Sequence, residues 1–306
     1  MMVTRHMQPA HVDVDVLSTH SPDSMPNLQN ETDARGIQID QVGYKNIAIR
    51  LLVPTRQHGL QETTGTAALS VALPPEQRGT HMSRFVEVLT RHRGPLHIDS
   101  LLAMLGDQLH VLDARAGRIA VDFGLFLRRP PPVTVLADEL VPEACYRCTL
   151  QVEVAGGSTV VTQRVVVPVS TVCPCSKAIS RYGAHNQRTM ITLEVRSVRA
   201  GIDPAARLSF EELIELAEGT GSTPVYPLLK RADERFVTER GYENPRFVED
   251  VIRDVCLMLK RDPRVERFSV QTESLESIHQ HDAFAEVAWI HQEHAGKGVS
   301  DRSYAR

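Results

Sequence analysis

Three polar segments of the chain hold residue types that can do chemistry. The first is "CPCSKAISRYGAHNQR", residues 173 to 188, which follows directly on the strand-like run "RVVVPVS". Cys173 and His185 are soft and borderline donors suited to a transition metal, and a loop rather than a finger-type spacing separates them. A structural zinc site calls for four close protein ligands, commonly two cysteine pairs, and no second pair accompanies this one. The composition therefore suits a mixed-ligand site with a position open to water; a buried cysteine beside a surface histidine is the plainer alternative. Cys175 lies two residues on, across Pro174, and can share a face with Cys173 and compete with it. Lys177, Arg181 and Arg188 are suited to phosphate, or else form an ordinary solvated surface.

The second segment is "LLKRADERFVTERGYENPRFVED", residues 228 to 250. Lys230 and Arg231 can meet an anion there, while Glu234 or Glu249 can serve a metal or a purine-like edge. A carboxylate accepts two parallel N–H bonds from a guanine-type amide and amine, which gives such a residue a definite chemical use. Glu249 and Arg253 are four apart on a helical pattern and can equally form a surface ion pair. In the third segment, "ESIHQHDAFAEV", His279 and His281 lie two apart just before a strand. Both can point into one cleft as proton carriers near neutral pH, or both can be simply solvated.

Composition bounds what these segments can belong to. At 306 residues with 42% hydrophobic content, the chain can build a large core. Its longest apolar runs, such as "RIAVDFGLFL", are too short to cross a bilayer, and the N-terminus lacks a basic-then-apolar secretory pattern. A cytosolic, soluble protein without a membrane partner is expected. The net charge of −4 provides no global basic field for nucleic acid, so an anionic substrate would need a local cluster of cations such as that in 173 to 188. Five cysteines, an odd number, argue against a disulfide framework. Cys145 and Cys148 lie in the alternating run "YRCTLQVEV", where positions three apart face opposite ways, so packing explains them better than redox chemistry. Cys256 falls in the helical pattern "FVEDVIRDVCLMLK" as a buried thiol.

The elements that must position these residues form two similar halves. Residues 1 to 35 read as a disordered extension and 295 to 306 as a flexible tail. Between them, residues 36 to 156 give two strands ("IQIDQVGYKNIAIRLLV", "TGTAALSVAL"), two helices ("HMSRFVEVLTRH", "HIDSLLAMLGDQL") and two strands ("GRIAVDFGLFLRR", "CYRCTLQVEV"). Residues 157 to 294 repeat the order. Strands "STVVTQRVVVPVS" and "RTMITLEVRSV" precede helix "SFEELIELAEG", with a Ser209-to-Glu212 capping box, and a second helix read with Asn244 as N-cap and Pro245 at its first position. The second helix carries an apolar stripe of Phe247, Val248, Val251, Ile252, Val255, Met258 and Leu259. Strands "RFSVQTESLES" and "AFAEVAWIHQ" follow, and Gly156-Gly157 is a natural turn between the halves. Two tandem ββααββ modules, each an antiparallel sheet backed by a helix pair, make an α+β architecture. Edge strands left by such modules predict pairing with another module or subunit, toward a closed barrel.

Taken together, "GTHMSRF" at 79 to 85, "CPCSKAISRYGAHNQR" at 173 to 188, "YPLLKRADERFVTERGYENPRFVEDVIRDV" at 226 to 255 and "ESIHQHDAFA" at 276 to 285 resemble the prokaryotic type IB GTP cyclohydrolases over about residues 36 to 293. The resemblance implies the tunnelling fold, a homotetramer with sites at module or subunit interfaces, and a divalent metal (zinc, manganese or iron). It implies conversion of GTP to 7,8-dihydroneopterin triphosphate and formate, the entry to folate-type pterins. By position in the motifs it makes Cys173 and His185 metal ligands, with Glu234 the third and Glu243 its rival. Glu249 would anchor the guanine edge, and His279 would be the catalytic acid/base beside its neighbour His281, with Cys173 joining them at the reaction centre. Lys177, Arg188, Lys230 and Arg231 would receive the triphosphate, and Cys175 has no assigned role. A related archaeal-type enzyme yielding a cyclic phosphate, and a non-catalytic purine- or pterin-binding module on the same fold, are the competing expectations.

Overall fold

Alternation of apolar and polar residues dictates the sheet. In Gly117–Arg128, Ile119, Val121, Phe123, Leu125 and Leu127 are buried; in Ser158–Val172, Val161, Val165, Val167 and Val169 are buried, with Thr171 continuing the same face. A computed structural model describes residues 27–57, 59–197 and 207–291. In chain order the elements are β1 (Ile39–Thr55), β2 (Gly59–Leu73), α1 (Ser83–Arg91), α2 (Ile98–Val111), β3 (Gly117–Arg128), β4 (Glu143–Ala155), β5 (Ser158–Val172), α3 (Pro174–Ile179), β6 (Asn186–Ser197), α4 (Phe210–Glu218), β7 (Thr223–Pro224), α5 (Arg231–Glu243), α6 (Val248–Arg261), β8 (Arg267–Leu275) and β9 (Ala283–Ile290).

The order ββααββ occurs twice, and in the second copy α3, β7 and α5 are additions. The two copies fuse edge to edge. All pairings are antiparallel, in the order β1-β2-β3-β4-β5-β6-β8-β9, with β7 added to β5. The seam between the copies is the β4–β5 hairpin, closed by Ala155 opposite Ser158. Its two loop residues, Gly156 and Gly157, have φ of 57° and 77°, the left-handed pair that a two-residue turn needs to match the twist of its strands. Helices cover one face. Phe85, Val88, Leu101 and Leu105 from α1 and α2 pack on the first half of the sheet; Leu213, Ile214, Val251, Val255 and Leu259 from α4 and α6 pack on the second. Among the described residues, no helix is long and apolar enough to cross a membrane.

Several local readings meet the structure directly. Ser209 caps α4 as expected: its hydroxyl accepts the Glu212 N–H at 3.2 Å, and Glu212 accepts the Ser209 N–H at 2.7 Å. Cys145 is exposed and Cys148 buried, as their spacing requires, and all five cysteines are free thiols. Burial pushes the Cys148 thiol well above its ordinary pKa. Asn244 and Pro245, by contrast, do not start the last helix. Asn244 is the C-cap of α5 and its amide donates to the carbonyls of Gly221 and Ser222, both at 3.1 Å. Proline keeps the residue before it out of the helical region, so this pair stops one helix rather than opening the next. The cap of α6 is Phe247, whose N–H donates to the Asp250 carboxylate at 3.0 Å. Of the expected extension, residues 1–26 lie outside the described residues, as does the tail from 295. Residues 27–35 run beside the loop after β2, with Thr32 bridged to Gln77 and the Asp33 N–H donating to the Glu76 carbonyl at 2.8 Å.

Helix α5 is set in place by one buried carboxylate. Asp233, with no exposed surface, accepts the N–H groups of Val133 and Thr134 at 2.8 Å each, the Thr134 hydroxyl at 2.5 Å and the Lys230 N–H at 2.9 Å. It thus caps its own helix and fixes that helix end to the loop between β3 and β4. Burial alone would raise the Asp233 pKa, but these donors outweigh it and hold the carboxyl well below its ordinary range.

Two outcomes follow for stability. Gly157→Val should lower unfolding stability by about 1–2 kcal/mol in a urea titration at unchanged m-value, because nothing stands within 4 Å of the added Cβ and the cost is that of the left-handed backbone. For Asp233, a folded pKa below the unfolded value means that its contribution is complete above roughly pH 4 and is lost as pH falls below it. Asp233→Asn should therefore melt below wild type at pH 7, with the two melting temperatures converging as the pH is taken from about 5 to 3.

Candidate active site

The register of β5 against β6 brings the first two candidate residues together. Val172 pairs with Asn186, and one step further the Cys173 N–H donates to the His185 carbonyl at 3.1 Å. Residues directly opposite in an antiparallel pair send their side chains to the same face. That face is the helix-covered one, since Thr171 and Thr189, two and four residues away, are buried on it. Cys173 and His185 therefore sit at its rim, both half-buried.

Cys173 is also the N-cap of α3, a single short turn of helix in a segment whose composition predicts a loop. Its Sγ accepts the Ser176 N–H at 3.4 Å. The Ser176 hydroxyl donates to the Cys173 carbonyl at 3.3 Å and accepts the His185 N–H at 3.2 Å, so one serine ties both residues together. On the imidazole, Nδ1 lies 2.9 Å from Gln187 Oε1 and 4.0 Å from Glu276 Oε2, whereas Nε2 has no protein partner among the described residues. A thiol beside an imidazole whose outer nitrogen is unspent is the donor pair that a borderline divalent ion takes. No group of three histidine, cysteine, aspartate or glutamate side chains among the described residues is close enough to hold a metal by itself.

The other candidates fall into two groups. Near the pair, the Arg246 N–H donates to the Val172 carbonyl at 2.9 Å, which brings the start of α6 and Glu249 in its first turn to the end of β5. Glu249 is exposed, and among the described residues no ion pair joins it to Arg253, so the surface-pair reading does not hold. Lys177 reaches the C-terminal end of α5, where its ammonium donates to the Tyr242 carbonyl and lies 4.3 Å from the centre of the Tyr242 ring. His279 and His281 stand in the loop after β8, three and five residues beyond Glu276, with their rings stacked at 5.2 Å and 19°.

Farther along, Lys230, Arg231 and Glu234 gather at the N-terminal end of α5, all exposed. Glu234 and Glu243 are nine residues apart on this helix, a rise of ~13 Å, so one metal ion cannot take both. The end that carries Glu243 is the one tied to α3. Arg188 alternates with Gln187 and Thr189 along β6 and belongs to the helix-free face, opposite to Cys173 and His185. Arg181 lies over its neighbour Tyr182, with 5.1 Å to the ring centre, and Cys175 is exposed. Sequence reasoning passed over Ser176, Gln187 and Glu276. All three lie inside segments already singled out, Ser176 and Gln187 in the first and Glu276 at the head of the third, yet their partners are set by strand register and a short helix rather than by spacing along the chain.

The family described as type I GTP cyclohydrolase folE2 matches residues 25–285. A protein of Dechloromonas aromatica named GTP cyclohydrolase FolE2 1 is 46% identical over 264 residues, covering 86% of this chain and 95% of its own length. GTP cyclohydrolase FolE2 of Burkholderia pseudomallei is 44% identical over 262 residues, with 86% and 94% covered. Among solved structures, uricase from Arthrobacter globiformis aligns over 87% of this chain and 98% of its own, with a TM-score of 0.56 at 9% identity. That likeness is one of fold alone, and the fold is the tunnelling fold. With the family match running from residue 25 to residue 285 and relatives 46% identical over most of both chains, this chain belongs to the type I GTP cyclohydrolase folE2 family.

Proposed function

We infer that the chain is a GTP cyclohydrolase that hydrolyses GTP at C8 and delivers 7,8-dihydroneopterin triphosphate and formate at the start of folate-type pterin synthesis. The observation that carries this reading is the Cys173–His185 pair, with Nε2 of His185 unspent, at a sheet rim shared with the helix turn of Glu249. The names of the relatives support the same substrate.

Cys173 and His185 would hold a divalent ion such as zinc, manganese or iron, with Glu234 as the proposed third ligand, supplied by a neighbouring copy because within one chain it stands at the end of α5 away from α3. Such an ion supplies acidified water close to neutral pH, which guanine C8 otherwise resists. The chain's own groups do the rest. Glu249 accepts the N–H of the guanine amide and of its 2-amino group, which fixes the base in the plane of the carboxylate through ring opening and reclosure. His279, with His281 stacked on it, donates to the ring nitrogen that leaves C8 and then takes protons from the attacking water as formate departs. Lys177, Lys230, Arg231 and Arg188 supply positive charge for the triphosphate, which would otherwise be repelled by Glu234 and Glu249.

In one chain these cations are spread over two faces and both ends of α5. A homotetramer, in which a neighbouring copy brings its own α5 or sheet face to the rim, would gather them. Among the described residues the outer edges of β1 and β9 have no strand partner, which supports such assembly, as does Phe284, which is 69% exposed on β9. A cytoplasmic location accords with five free thiols.

The test is to incubate metal-defined protein with GTP and to assay formate together with the fluorescent pterin formed after oxidation. Formate in the presence of manganese, iron or zinc, with phosphate retained as a linear triphosphate, is expected; no formate with any of them contradicts the reading. Cys173→Ala should abolish turnover while the protein still melts cooperatively. His279→Ala should lower kcat by ~10²–10⁴-fold. Glu249→Gln should reduce the preference for GTP over inosine triphosphate, which lacks the 2-amino group, and an unchanged preference would remove Glu249 from the base-binding role.

A further inference from the structure

The histidine of the donor pair does not stand alone. Gln187 follows it by two residues on the same face of β6, and its Oε1 lies 2.9 Å from His185 Nδ1. The Glu276 carboxylate, at the end of β8, lies 4.0 Å from that nitrogen and is 14% exposed. A carboxylate on this side favours a proton on Nδ1, so Nδ1–H donates to Gln187 and the lone pair is left on Nε2. We propose that Gln187 is a positioning residue: by accepting the Nδ1 proton of His185 it fixes both the tautomer and the ring plane that present Nε2 to a divalent metal. This rests on the reading of His185 as a ligand.

The backbone cannot do this work. Both the N–H and the carbonyl of His185 are already used, the first by Ser176 and the second by Cys173, and they hold the main chain without restraining χ2 of the ring. Among the described residues, the Gln187 amide at 2.9 Å and the Glu276 carboxylate at 4.0 Å are the groups that act on the imidazole itself. An outer partner on the second ring nitrogen is the arrangement that fixes a ligating imidazole's tautomer and removes its rotational freedom before the ion arrives.

The experiment measures metal binding, independent of turnover. Full-length wild type, Gln187→Met, Gln187→Asn, Gln187→Glu and His185→Ala are titrated with Zn²⁺ against a chromophoric chelator, and their Co²⁺ absorption spectra are recorded. Gln187→Met and Gln187→Asn, the latter one methylene too short to reach Nδ1, should bind Zn²⁺ ~10–100-fold more weakly and give altered Co²⁺ ligand-field bands. Gln187→Glu keeps an acceptor at the same reach and should restore affinity and spectrum. Should Met fail to fold, the Asn and Glu pair decides the matter. Unchanged affinity and spectrum in Gln187→Asn, with binding lost in His185→Ala, would overturn the role of Gln187 alone. Unchanged affinity in His185→Ala would overturn the ligand reading beneath it.

Discussion

The pairing of β5 with β6 is the constraint on which the site depends. One unbroken register, from Val161 opposite Ser197 to Val172 opposite Asn186, delivers Cys173 and His185 side by side at its end. A slip of one residue would turn every side chain of one strand to the other face and separate the two donors. A chain of buried hydroxyls guards against this. Thr171 bonds to Thr189 at 2.8 Å, and Thr189 bonds to Ser274 of β8 at 2.7 Å. All three are almost fully buried, so a shifted register would leave unpaired polar groups at a cost of ~1–3 kcal/mol each. The same three strands then end, within two or three residues, in Cys173, Gln187 and Glu276.

Around that hairpin the second half of the chain is a bracing structure. β5 is held on its other side by the short strand β7 and by Ser222, whose hydroxyl accepts the Val172 N–H at 3.0 Å. Asn244 grips the same segment through two carbonyls, and Arg246 takes the carbonyl of Val172. The polar helix α5 is thus fastened at both ends, by Asp233 to the first half of the chain and by Asn244 to the second. Residues that look like surface charge along the sequence, "KRADER" above all, lie on an element whose position is fixed by one of the most deeply buried carboxylates in the protein. Rigid supports of this kind are what a site with few residues of its own requires.

Much of this was legible beforehand. Strong period-two and period-3.6 patterns gave both ββααββ repeats, and the glycine pair and the Ser209 capping box gave their joints, because each rests on a local preference that packing then reinforces. Helix α5 was not legible: only Asp233 and Gly241 of it are buried, so it shows no apolar stripe. Nor was α3, since a cysteine is not a usual N-cap and six residues carry too little pattern. Asn244-Pro245 misled because the same two residues can open a helix or close one, and only the Gly221 and Ser222 carbonyls decide which. At the site, Cys173 and His185 stood out by residue type, while Gln187, Glu276 and Ser176 depend on strand register that no linear spacing reveals.

Strand register sets Cys173 beside His185, the proposed metal donor pair. X-ray absorption at the zinc edge of the full-length, zinc-loaded protein tests it most directly. A first shell with one sulfur at ~2.3 Å and imidazole scattering, the rest oxygen or nitrogen, is the predicted result. A shell without sulfur, or one with two sulfurs that drew in Cys175, would contradict it.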